Sequence, residues 1–159
     1  MELNSIGLDT NIAKDLAKDL NGLLANFQLY YQNLRGIHWN IKGKRFFDLH
    51  VKFEELYNDA NIKVDEIAER ILTLGGVPLH TFDDYMKEAK IPIGKDISND
   101  EKAVHLIVNS LSGLLKLERD LLNKAGEGED EGTNSMISDF ITEQEKTVWM
   151  MKAWLNEPV

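Results

Sequence analysis

Two histidines, His38 and His50, stand twelve residues apart in "GIHWNIKGKRFFDLH", and the stretch that follows carries Glu54, Asp65 and Glu69. Imidazole nitrogens beside carboxylate oxygens form a donor set for a divalent cation. The chain has no cysteine, so it offers no thiolate ligand, disulfide or sulfur nucleophile. A nitrogen and oxygen set suits iron, manganese or zinc, and composition does not choose among them. The plainer reading is also open: His/Glu and Asp/Glu pairs four residues apart are common on acidic helices that bind nothing.

The elements that must position these residues read as helices. Prolines occur only at positions 78, 92 and 158, and apolar residues recur at intervals of three and four. A first helix is predicted from Thr10 to His38 and is interrupted by "NIKGK". A second runs from Arg45 to Leu74 and stops at Gly75-Gly76 before Pro78. A third starts at Ser98, spaced from Glu101 as in a capping box, and ends near Lys124. After "AGEGEDEG" a fourth runs from Thr133 to Asn156. The crossover "VPLHTFDDYMKEAKIPIGKD", with a short helix after Thr81, is long enough to travel the length of a bundle. Four long helices with one long middle crossover give an all-α, ferritin-like four-helix bundle, a single domain over residues 1–159.

The second helix has three faces. Phe53, Leu56, Tyr57, Ala60, Val64, Ile67, Ile71 and Leu74 share a stripe about 100° wide, the core face. Arg45, Asp48, Lys52, Glu55, Asp59, Lys63, Glu66 and Arg70 fall together as a water face, with Asp59/Lys63 and Glu66/Arg70 as pairs four apart. The third face mixes Phe47, Val51, Ile62, Ala68 and Leu72 with His50, Glu54, Asn58, Asn61, Asp65 and Glu69. It fits either a subunit interface enclosing polar sites or a broad boundary open to solvent.

Fifteen residues separate His50 from Asp65, about 22 Å along a helix, too far to share an ion within one chain. An antiparallel pair of these helices about a two-fold axis near residues 57 and 58 would bring them together, because a two-fold interface is isologous. The ligand set is then His38, His50 and Glu54 of one chain with Asp65 and Glu69 of its partner.

The formal charge is −9. That balance disfavours a nucleic-acid partner, whose phosphates require clustered Lys and Arg. No stretch reaches the roughly 20 apolar residues of a membrane span, and the N-terminus lacks the pattern of a secretion signal, so a cytoplasmic protein is expected. His80 and His105 read as packed or surface histidines. Trp149, Met150, Met151 and Trp154 read as core or subunit contact. No Ser/His/Asp arrangement, phosphate-binding glycine loop or dinucleotide fingerprint is present.

The motifs "GIHWNIKG", "FFDLHVKFEELY" and "VDEIAERILTLGG" resemble the Dps family of mini-ferritins, and the resemblance continues through "EKTVWMMKAWL" in the last helix. The spacing of His38, His50, residue 54, Asp65 and Glu69 matches that family's intersubunit ferroxidase centre, with Glu54 where the family pattern has aspartate. The resemblance implies a hollow dodecamer that oxidises Fe(II) with hydrogen peroxide or O2, preferentially with peroxide in many members, and stores Fe(III) against oxidative stress. It also implies a role for Trp39 near the iron centre, with structural packing as the alternative, and entry pores lined by acids such as Asp139, Glu143, Glu127, Glu129, Asp130 and Glu131. Many members bind DNA through a Lys-rich tail; this sequence has none, and twelve copies would carry about −108 formal charges, so DNA binding is expected to be weak or absent. The competing functions are a non-catalytic DNA-condensing protein and a zinc-binding helical oligomer without redox activity.

Overall fold

A computed structural model describes all residues, 1–159. It contains α1 (Thr10–Asn40), α2 (Phe46–Thr73), α3 (Phe82–Glu88), α4 (Asp100–Glu127) and α5 (Glu131–Trp154). This is the expected four-helix bundle, with α3 as the short extra helix in the crossover. The core runs along its axis through Leu16, Leu20, Leu23 and Phe27 of α1, Phe53, Ile67 and Ile71 of α2, Ile107, Leu111 and Leu114 of α4, and Ile137 of α5.

Capping chemistry explains where the helices begin. Asp9 accepts hydrogen bonds from the Asn11 and Ile12 amides, and Thr81 accepts one from Asp84. The expected capping box at Ser98 is corrected: Asn99 is the N-cap of α4, its side chain accepting from Lys102 N at 3.0 Å. The Ser98 carbonyl instead accepts from Lys42 N at 3.0 Å, tying the α1–α2 connection to the start of α4. The α4–α5 turn is shorter than expected. α4 continues to Glu127, and Asp130 caps α5 by accepting from Thr133 N at 3.0 Å. At the other end α5 stops at Trp154, and Asn156 takes a left-handed φ of 58°.

The crossover is held by three asparagines of α1. Asn21 donates to Val77 O at 3.0 Å and accepts from Leu79 N at 2.8 Å. The buried Asn26 accepts from Lys90 N and Ile91 N. Asn33 donates to Pro92 O at 2.7 Å and accepts from Gly94 N at 2.9 Å. A chain without regular secondary structure needs such partners for its peptide groups when it lies against a bundle. No helix is long and apolar enough to cross a membrane.

Candidate metal centre

His38 lies in the last turns of α1 and His50 in the second turn of α2. The five-residue connection folds α2 back on α1, so the two imidazoles stack with centroids 3.8 Å apart and planes 12° from parallel. Their contacts are reciprocal: His38 Nδ1 lies 2.6 Å from the His50 carbonyl, and His50 Nδ1 lies 2.8 Å from the His38 carbonyl. A carbonyl oxygen only accepts, so each Nδ1 carries a proton and donates it. In the neutral rings both Nε2 atoms are then free lone pairs. Backbone acceptors fixing tautomer and ring orientation are the usual support of a metal-binding histidine.

Aromatic rings enclose the pair. Phe46 stacks on His50 at 4.9 Å, and Tyr57 meets His38 edge to face at 5.3 Å. The Tyr57 hydroxyl donates to Glu54 Oε1 at 3.2 Å, so it steers the exposed carboxylate one turn beyond His50. Burial, then the hydrogen bond to Glu54 and its charge, raise the Tyr57 phenol above its ordinary value. Periodicity assigned Tyr57 to the core alone; its spacing of three from Glu54 was the available signal of a second role.

Asp65 and Glu69 lie further along α2, exposed, their carboxylates free of hydrogen bonds and ion pairs. Within one chain no group of three or more histidines and acids is close enough to hold a metal. The fold thus brings His38 and His50 together with Glu54 nearby, and leaves Asp65 and Glu69 apart. Between the two ends, Phe47, Val51, Ile62 and Leu72 are 80%, 52%, 59% and 58% exposed. These side chains lie along the mixed third face of α2, and no element of the same chain covers them.

The water face is corrected at two positions. Lys63 is only 5% exposed: its ammonium lies 2.6 Å from both Asp59 and Glu143 and 5.3 Å over the Phe140 ring. Burial acts to lower the Lys63 pKa, but the hydrogen bonds and charges of the two carboxylates raise it overall. Arg70 is half-buried and turns from Glu66 to Asp130, at 2.6 Å, and Thr133. Two acids expected as pore candidates, Asp130 and Glu143, are therefore held by cations of their own chain. Asp139, Glu127, Glu129 and Glu131 remain exposed. Trp39 is 57% exposed with the Arg35 guanidinium 4.8 Å over its ring. His80 is exposed, and His105 pairs with Glu157 at 3.2 Å.

The bundle interior holds a second polar group that the sequence did not signal. Glu118 is fully buried, and neither its carboxylate oxygens nor the buried Gln144 amide closes a hydrogen bond within the chain. Burial raises its carboxyl to about 8 against the opposing pull of Gln144, Lys63 and Arg119. Buried Tyr30 is raised by desolvation first, then by Asp59 and Glu118.

Residues 17–158 match the family model of the ferritin-like domain. The DNA protection during starvation protein of Porphyromonas gingivalis is 40% identical over 155 residues, 98% of each chain. The chain belongs to the Dps family. A Dps structure from Vibrio cholerae, described as a member of a broad superfamily of ferritin-like diiron-carboxylate proteins, superposes with a TM-score of 0.95 at 52% identity, covering 98% of each chain. Dps from Bacillus brevis follows the same fold with a TM-score of 0.89 at 36% identity, over 93% of this chain and 99% of its own. The Dps assignment agrees with the histidine and acid motifs that suggested it.

Proposed function

We propose that this Dps chain is a cytoplasmic ferroxidase that oxidises Fe(II) with hydrogen peroxide and stores Fe(III) inside a hollow dodecamer. The observation that carries this reading is the reciprocal lock of His38 and His50, beside an apolar face of α2 that its own chain leaves uncovered. Two such faces, packed antiparallel about a two-fold axis, bring Asp65 and Glu69 of one chain to the imidazoles of the other. Iron is the substrate of this site. The two Nε2 lone pairs and the carboxylates Glu54, Asp65 and Glu69 bind Fe(II), and the acids offset the charge that rises as it becomes Fe(III). Two ferrous ions together supply the two electrons that reduce one peroxide to water, so no hydroxyl radical is released.

The DNA-shielding reading has the relatives' names in its favour, but the −9 charge opposes it. The zinc reading predicts bound metal without oxidation. Mixing variants separates the ferroxidase reading from both, and bound metal separates the zinc reading from the DNA-shielding one. His38→Ala/His50→Ala and Asp65→Ala/Glu69→Ala should each lose at least about 100-fold in peroxide-driven Fe(II) oxidation, since even outer-shell changes at metal sites cost 10–100-fold. Refolded together, random pairing makes half the dimers mixed, each with one intact site of two, so about a quarter of wild-type activity should return. No recovery in verified mixed assemblies would place all ligands within one chain and refute the shared site.

A further inference from the structure

We propose that the bundle interior contains a second cation site, built from oxygen donors of α2, α4 and α5, and that its occupant is the chain's own Lys63 ammonium, which keeps divalent metal out. This site is separate from the His38/His50 centre, and its test does not need that centre to function.

The ammonium stands where an ion would. Asp59 Oδ2 of α2 and Glu143 Oε2 of α5 each lie 2.6 Å from it. A divalent ion in its place would take both oxygens at about 2.0–2.2 Å, a shift of roughly half an ångström for each. Both acids are more than half exposed, so neither is wedged against that shift. Deeper in, Glu118 of α4 has no solvent exposure and Gln144 of α5 only 5%, and none of their four side-chain polar atoms closes a hydrogen bond. Buried polar atoms in native bundles are satisfied, so oxygen donors are in excess at this place. Lys63 is the first-ranked charge acting on Glu118, and the Gln144 amide lies beside it. Tyr30 of α1 faces Asp59 and Glu118 from the remaining side.

Carboxylate and amide oxygens without imidazole or sulfur are a donor set for a hard cation. Lys63 supplies one that cannot leave. Its side chain is buried, and the Phe140 ring lies 5.3 Å beneath the ammonium, so the positive charge is held from two directions. A tethered ammonium competes with dissolved metal at a concentration fixed by the fold. With it in place, no three acids or histidines of one chain come close enough to share an ion. Metal is left with the outer face of α2, where the histidines are.

Mn(II) binding tests this, with the free ion counted by electron paramagnetic resonance and His38→Ala/His50→Ala as the background that silences the outer centre. That background should bind no Mn(II) whose affinity depends on Glu118. Adding Lys63→Ala should create a site for one Mn(II) per chain, seen as an anomalous peak between α2, α4 and α5, and Mn(II) should raise the melting temperature of this variant alone. Glu118→Gln, buried and so without effect on surface acids, should weaken the new site at least about tenfold. Lys63→Met, whose stem still fills the space, should create none. A folded Lys63→Ala that gains no ion, or gains one indifferent to Glu118→Gln, overturns the proposal. So does an unfolded Lys63→Ala that Mn(II) fails to refold. Mn(II) at Glu118 with Lys63 intact overturns it too, because the ammonium would then exclude nothing. All of these outcomes leave the ferroxidase reading untouched.

Discussion

On one side of α2 the Lys63 ammonium sits between Asp59 and Glu143, while on another Asp65 and Glu69 face outward with no cation of their own chain. Asp59, Asp65 and Glu69 lie on the same helix, within three turns of each other, and Glu143 reaches Lys63 from α5. The first is closed: both acids are paired with Lys63, which is buried with its ammonium over the Phe140 ring. The second is open, and apolar side chains flank it that are more than half exposed. A lysine gives the bundle interior a permanent cation, whereas the outer face has a donor set and an adhesive surface and no cation from its own chain. The proposed metal site uses the open region, because the closed one already contains its positive charge.

The largest predicted effect comes from breaking the open face. Ile62 is 59% exposed in the single chain, so Ile62→Asp should change the stability of the isolated fold by no more than about 0.5 kcal/mol. In a two-fold interface each copy adds a desolvated carboxylate, and the contact should fail. Light scattering at fixed concentration is expected to show smaller species with unchanged helical circular dichroism, and Fe(II) oxidation should fall with the assembly. Full-size particles in the variant would mean that this face is a solvent boundary, the alternative its mixed composition allowed.

The two regions were unequally legible in the sequence. A period of 3.6 was enough to find α2, its core stripe and its mixed face, and a short connection was enough to bring His38 near His50. The carbonyl lock between them was hidden, because backbone acceptors have no signature of their own in a sequence. Lys63 and Arg70 read as solvated because each has an acid four residues before it. Their decisive partners, Glu143 and Asp130, are 80 and 60 residues away and become neighbours only when the bundle closes. The same limit hid Asn21, Asn26 and Asn33, whose task depends on the path of the crossover. Ser98 and Asn99 are adjacent cap candidates, and only the register of the first turn selects between them.

Opening the closed region should have a smaller effect. Lys63→Met keeps the apolar stem and removes the charge, leaving Asp59 and Glu143 facing each other. Removing one member of a buried pair costs about 3–5 kcal/mol, but both acids here are more than half exposed and regain water, so about 1–3 kcal/mol is expected. Thermal unfolding at fixed protein concentration measures it, since oligomer stability depends on concentration. Oxidation per assembled site should be unchanged. A parallel loss of activity would show that the two regions are coupled rather than separate.

The smallest effect is visible only as a function of pH. Glu118 faces Tyr30 of α1, Lys63 of α2 and Gln144 of α5, with Arg119 beside it on α4, and its folded carboxyl is raised to about 8 from 4.5. Below about pH 4.5 it is protonated in both folded and unfolded chains, and its contribution to stability is fully present. Between about 4.5 and 8 the unfolded chain has released the proton and the folded chain retains it, so stability falls as pH rises; above about 8 both are ionised and the loss is complete. Glu118→Gln has nearly the same shape and no charge to bury. The difference between the variant and wild-type stability curves should therefore rise through this window, leaving the variant ahead by on the order of 1–3 kcal/mol at the alkaline end. A pH-independent difference would mean that Lys63 already keeps Glu118 ionised, and one ammonium would then balance three acids, the exposed Asp59 and Glu143 and the buried Glu118.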